Sequence, residues 1–303
     1  MLSVPKFCYA NNEHLTGDVL LANYTENSLR WHTLKLQFNR SAMKYTIERD
    51  SLGLTTVGDI DIDLSTCTSP RKVNVSLSID GTDYSNSYPI WIYPAECDLN
   101  TDGIIVANSL TDDIADKLDN GATVLLMPDS TQYTDNTVDG LFMTDYWNYR
   151  MFKTICENNK KPVSPGTLGI LTNPSHPIFK SFPTDMHTSW QWFEVIKNSH
   201  PMILDTYPAD YLPTVQVIDN IERNHKLGLI FELAVGRGKL LMVMSPLNKL
   251  ERIESKWLYR SILDYMHSAD FAPQTHLTLS QLNTLLATKA TQTNINTLNN
   301  ISY

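Results

Sequence analysis

The chain has 303 residues, 42% of them hydrophobic and 19% charged, enough for two ordinary domains that each bury a core. Its 24 basic and 33 acidic side chains leave a net charge of −9 without any run of Lys or Arg, which argues against nucleic acid and an anionic membrane surface as partners. No stretch approaches the ~18 apolar residues of a spanning helix, and Met1–Cys8 lacks the basic-then-apolar pattern of a signal peptide.

Residues 1–95 carry the two-residue period of half-buried strands. Leu34, Leu36 and Phe38 alternate with Lys35 and Gln37. Ile60, Ile62 and Leu64 alternate with Asp59, Asp61 and Asp63, and Val73, Val75, Leu77 and Ile79 with Asn74, Ser76 and Ser78. Asp80-Gly81 between two such runs predicts a hairpin turn, because that pair accepts positive φ. Several short strands and no helix predict an all-β sandwich of immunoglobulin-like size, closing at the apolar strand Pro89–Pro94.

The pattern changes over residues 96–275. Gly103–Asn108 and Ala122–Met127 are continuous apolar runs, as expected of strands buried on both faces. Between them Thr111–Asp119 predicts a helix, with Asp112 and Asp113 near its positive end and Asn120-Gly121 as its stop. Strand, helix and strand with short joints predict a parallel crossover and an α/β domain of flavodoxin-like type. Residues 130–213, rich in Pro, Trp, His and Tyr, read as long ordered loops with short elements. Thr214–Ile218 predicts a strand, and Leu227–Val235 with Lys239–Met244 a hairpin turned by Gly236-Arg237-Gly238. A helix is predicted over Glu254–Ser268, from Leu258, Ile262, Tyr265 and Met266 at helical spacing. Residues 276–303 read as a short helix, with Thr278 and Gln281 as a capping box, and a polar tail frayed from Thr291.

Catalytic patterns are sparse. A retaining glycosidase needs two carboxyl groups about 5–5.5 Å apart, normally on a barrel of ~250 residues that finds no room beside the sandwich. Asn12-Glu13 reads as a solvated turn. There is no G-x-S-x-G elbow, and Pro246 removes a backbone N–H that an oxyanion hole beside Ser245 would use. Gly236–Lys239 joins two strands, so it is a hairpin turn and not a phosphate loop. His176, His187 and His200 lie too far apart for a local metal set and read as loop-shaping or surface residues. Cys8, Cys67, Cys97 and Cys156 have no C-x-x-C pairing; they read as buried or idle thiols, with a single disulfide as the alternative. No metal or cofactor is expected. One segment mixes flat rings with polar groups: Asp185, His187, Trp190 and Trp192, with Trp147 upstream. Such a mixture suits sugar contact, and large aromatics equally serve as core anchors.

Several of these motifs carry a family likeness. Asn23-Tyr-Thr-Glu, Leu54-Thr-Thr-Val-Gly-Asp-Ile and Asn86-Ser-Tyr-Pro-Ile-Trp-Ile-Tyr-Pro resemble the last immunoglobulin-like domain of gut-bacterial family 2 glycoside hydrolases, enzymes of β-galactosidase type. Gly121-Ala-Thr-Val-Leu-Leu, Tyr146-Trp-Asn, Pro165-Gly-Thr-Leu-Gly, His176-Pro-Ile-Phe, Phe182-Pro-Thr, Trp190-Gln-Trp and Phe231-Glu-Leu-Ala-Val-Gly-Arg-Gly-Lys-Leu-Leu resemble the α/β domain that follows it. That domain is similar to class I glutamine amidotransferases without their Cys-His pair. The resemblance covers roughly residues 1–275. It implies a non-catalytic accessory region whose partner is a catalytic barrel, in cis or in trans, with a glycan as a further partner and a periplasmic or secreted location. The family's catalytic Glu pair has no counterpart here. A free-standing carbohydrate-binding protein and a cryptic amidotransferase-like hydrolase are the alternatives.

Overall fold

A computed structural model describes residues 1–49, 51–142, 148–163, 166–208, 210–221 and 223–287. The chain divides into two units, Met1–Cys97 with Ser181–Pro183, and Asp98–Lys180 with Thr184–Tyr303.

The first unit is a two-sheet β-sandwich. Its strands are β1 (Leu2–Ser3), β2 (Cys8–Ala10), β3 (His14–Asn23), β4 (Thr33–Phe38), β5 (Ser41–Thr46), β6 (Gly53–Asp63), β7 (Arg71–Ile79) and β8 (Ser85–Tyr93). One sheet has the order β1-β3-β6 and the other β2-β8-β7-β4-β5. Leu15, Val19 and Ile60 from the first meet Leu36, Val75, Leu77 and Ile90 from the second in one buried core. The alternation of Asn74, Ser76 and Ser78 with apolar neighbours is thus what keeps one face wet. β7 and β8 pair antiparallel across the predicted turn, where Gly81 has φ +76°. Cys8 and Cys67 are buried.

The second unit is built on a mixed sheet with helices. In chain order it contains β9 (Ile104–Ala107), α1 (Asp112–Asp119), β10 (Thr123–Leu126), α2 (Tyr149–Asn158), β11 (Gly169–Thr172), α3 (Phe193–Lys197), β12 (Met202–Ile203), β13 (Val215–Ile218), β14 (Lys226–Val235), β15 (Gly238–Val243), α4 (Ile253–His267), β16 (His276–Leu277) and α5 (Leu279–Ala287). The sheet order is β11-β13-β14-β15-β10-β9, and β12 and β16 also pair with β14. β9, β10 and β15 run parallel, whereas β11, β13, β14 and β15 alternate in direction. The predicted crossover is present: Thr111 caps α1 by accepting the Ile114 N–H, and β9 and β10 flank it in parallel.

The antiparallel half follows from the hairpin at Gly236-Arg237-Gly238. Gly236 has φ +55°, and a Cβ on Gly238 would stand 2.1 Å from the Leu118 carbonyl oxygen at the end of α1. Two glycines therefore let the chain reverse tightly beneath a helix end and set β15 between β14 and β10. α4 buries Leu258, Ile262, Tyr265 and Met266, as its spacing predicts. The capping box before α5 is also formed: Thr278 N–H donates to Gln281 Oε1 (2.8 Å) and Gln281 N–H to Thr278 Oγ1 (3.2 Å).

Residues 130–213 are loops carrying short elements, as predicted. α2, β11 and α3 lie within them, joined by 3₁₀ turns at Pro177–Phe179 and Trp190–Trp192. α2 begins at Asn148, whose side chain accepts the Met151 N–H. Trp190 and Trp192 belong to a 3₁₀ turn and not to a strand, so they do not share a face. No described helix is long and apolar enough to cross a membrane. The predicted frayed tail from Thr291 lies outside the described residues.

Candidate functional site

The second unit contains a cavity of about 770 Å³ over one end of its antiparallel strands. One wall is β11 and the turn after it, with Leu171, Thr172, Asn173 and His176. A second is the loop carrying Asp210, Tyr211 and Leu212. The floor has Gln216 from β13 and Glu232 from β14, and Gln274 and Thr275 close the remaining side. Each group arrives for a local reason. A register shift between Val215 and Gln216 breaks the ladder of β13 against β14, a device that re-aims side chains beside sites. Glu232 is the single charge in the otherwise apolar interior of β14, Leu227–Val235.

The loop wall is strapped from beneath. Lys226 Nζ donates to the carbonyls of Pro208 (2.9 Å) and Tyr211 (3.1 Å). Asp205 accepts the Lys226 N–H (2.7 Å) and holds His225 Nδ1 (2.7 Å). The rings of Tyr207 and Tyr211 lie 4.9 Å apart, and Tyr211 Oη donates to the Glu232 carbonyl. Tyr211 therefore has its phenol fixed from the cavity floor.

Glu232 and His176 are two titratable groups of the cavity shifted in opposite directions. Burial raises the Glu232 carboxyl above its ordinary value, against the Tyr265 hydroxyl that donates to Oε2 (2.7 Å) and the charge of Lys239. Burial lowers His176, opposed by the charge of Asp270. The Ile178 N–H donates to His176 Nδ1 (3.2 Å), so the neutral ring carries its proton on Nε2. The His176 ring stands edge-on to Tyr265, 5.3 Å between centroids.

These shifts have opposite signs in stability. A raised carboxyl means the folded state holds its proton longer than the unfolded one, so this contribution is lost as pH rises from the ordinary Glu value through the raised one. A lowered imidazole means the unfolded state takes up its proton first, so stability is lost as pH falls from the ordinary His value through the lowered one. Glu232→Gln is expected to become progressively more stable relative to the parent as pH rises from 4.5, the ordinary Glu value, in urea titrations run to about pH 7.5. A difference that stays constant with pH would contradict a buried, destabilised carboxylate.

The lining offers carboxyl, amide, imidazole and phenol hydrogen bonds beside flat rings. Among its described residues there is no Ser or Cys. Ser245 is buried elsewhere, its hydroxyl donating to the Val195 carbonyl (3.0 Å). No group of three or more His, Cys, Asp or Glu among the described residues is arranged to hold a metal ion.

His176 lines this cavity, whereas Asp185, His187, Trp190 and Trp192 are not among its lining residues. Asp185 and His187 run beside β11: Thr172 Oγ1 donates to the Asp185 carbonyl (2.6 Å), and Leu171 bridges His187. His187 is exposed, with Nδ1 3.0 Å from the Thr188 carbonyl. Trp192 is fully buried, its Nε1 donating to Thr184 Oγ1 (2.9 Å) and its ring edge-on to Phe179. Trp190, two residues earlier, is 56% exposed. Trp147 lies outside the described residues. Sequence reasoning missed Glu232, Tyr211 and Gln216. A lone charge inside an apolar strand, and a Tyr in the Pro-bracketed stretch Pro208–Pro213, were the available signals.

The family model described as Domain of unknown function (DUF8487) matches residues 105–287, and that described as Domain of unknown function (DUF8488) matches residues 13–94. No curated protein matches the chain.

Proposed function

The chain belongs to the DUF8487 family, and on that premise we propose that it is a glycan-binding accessory region of a family 2 glycoside hydrolase, without a hydrolytic centre of its own. The observation that carries this is the cavity floored by Gln216 and Glu232 and walled by Tyr211 and Asn173. Amides and carboxyls arrayed beside an aromatic face are the complement of a sugar, whose hydroxyls point outward and whose C–H faces are apolar. The quoted motifs shared with that enzyme family favour the same class of ligand. In this reading the sandwich is immunoglobulin-like, in keeping with β2 lying parallel beside β8. The parallel trio β9-β10-β15 is the part shared with a flavodoxin-like or amidotransferase-like domain. The macromolecular partner is a catalytic barrel.

Calorimetric titration of the full chain against a panel that includes β-galactosides and plant oligosaccharides is expected to give saturable binding. Tyr211→Ala and Gln216→Ala are each expected to weaken it at least about tenfold, or ~1.4 kcal/mol. Aryl glycosides are expected to survive incubation with the chain. A flat titration across the panel, or a clear hydrolytic rate, would sink the proposal.

A further inference from the structure

A second cavity, of about 520 Å³, opens at the carboxyl ends of the parallel strands β10 and β15 and shares no lining residue with the first. In open α/β sheets that end is where ligands bind. Its lining includes Asp129 and Ser130 just after β10, Lys249 after β15, and Asp139, Asn198 and His200 from the intervening chain. A short ladder sets the last group in place. The Val138 N–H donates to the Pro201 carbonyl (3.0 Å) and the Gly140 N–H to the Ser199 carbonyl (2.9 Å), which brings Asp139 alongside His200.

His200 is 2% exposed, and neither ring nitrogen makes a hydrogen bond of full geometry in the protein, although the Pro128 carbonyl approaches the ring closely enough to favour its charged form. Burial lowers its pKa, against the opposing influence of the Asp139 carboxylate, the Pro128 carbonyl and the Asp129 carboxylate. His200 lines the cavity together with Asp129 and Asp139. Buried polar groups in folded proteins are almost always satisfied, by protein or by something bound.

The charge of the lining selects the ligand class. Asp129 and Asp139 are balanced by Lys197 and Lys249, and Lys249 Nζ already holds Asp129 at 2.7 Å. An anion or a cation would meet a compensated surface. A hydroxyl, which both donates and accepts, satisfies an imidazole nitrogen in either tautomer and a carboxylate as well. We propose that this cavity is a second binding site, specific for a small neutral polyhydroxylated ligand of hexose size held by His200 and Asp139. It does not rest on the glycan assignment of the cavity at Glu232.

The test is a ligand-observed and imidazole-observed NMR titration of the full chain with galactose, glucose and mannose, with galacturonate and glucosamine as charged counterparts. At least one neutral hexose is expected to bind saturably and move the His200 ring signals. Asp139→Ala, a change at an exposed position, is expected to weaken the binding reported by the His200 ring signals at least about tenfold, and His200→Gln to weaken the ligand-observed binding, while Tyr211→Ala in the other cavity leaves the His200 response unchanged. The proposal is overturned if no hexose moves the His200 signals, if Asp139→Ala binds as the parent does, if Tyr211→Ala abolishes the effect, or if a charged sugar binds in preference.

Discussion

Trp192→Ala is expected to destabilise the second unit by about 3–5 kcal/mol, the range for truncating a large buried aromatic. Trp190→Ala, two residues away, is expected to stay within about 0.5 kcal/mol of the parent, as a surface change does. The contrast follows from the 3₁₀ turn at Trp190–Trp192. That turn sends one indole into the core, where its N–H reaches Thr184 Oγ1 and its ring forms a T-shaped pair with Phe179, and leaves the other 56% exposed. Truncating Trp192 opens a cavity, which dominates the cost, and removes the indole N–H from Thr184 Oγ1, whose hydroxyl keeps its bond to the Asp185 carbonyl. Urea denaturation of both variants measures the difference. A Trp192→Ala variant within about 1 kcal/mol of the parent would show that the indole is not a core anchor. Trp190 is then the ring of this pair able to face a glycan, and its effect belongs in a binding titration.

Where hydrophobic period and burial agree, the elements were legible in the sequence. Val73–Ile79 alternates because one face of β7 meets the opposing sheet, and β14 and β15 are continuous apolar runs because both faces are covered. The crossover Ile104–Leu126 carried its own cap, helix and stop. Other elements lacked such a signal. β5 pairs with β4 yet has no fully buried residue; only Met43 and Tyr45 are half-buried against the core, so the period in Ser41–Thr46 is short and weak. α2 leaves Met151 and Ile155 exposed, which blurs its apolar stripe. The Trp-rich segment drew attention because aromatics suit both packing and sugar contact, and composition cannot separate those two uses. The cavity at Glu232 joins β11, β13, β14 and the Pro208–Pro213 loop, residues more than sixty positions apart in the chain. Only strand pairing, with Leu171 opposite Gln216, brings those side chains to one place.

That pairing also identifies the side chain on which the cavity's loop wall depends. The Asp219 carboxylate, its side chain 1% exposed, accepts from Arg223 Nε and Nη2 and from the backbone N–H groups of Asn220 and His225. His225 in turn holds Asp205, and its neighbour Lys226 straps Pro208 and Tyr211. Asp219→Ala would leave the Arg223 guanidinium and two backbone donors without their acceptor, a loss of about 3–5 kcal/mol when a buried charged pair is broken from one side. Arg223→Met, which removes the other partner but keeps an apolar stem over the same ground, is expected to cost less, because the two N–H groups still hold the carboxylate. The double variant is expected to fall well short of the sum of the two single losses, since the single changes share one interaction. Beyond stability, Asp219→Ala is expected to raise hydrogen-exchange rates at Lys226 and Tyr211 and to weaken any ligand held by the loop wall. Exchange unchanged at both sites, with stability within about 1 kcal/mol of the parent, would mean that the loop wall stands without the Asp219 anchor.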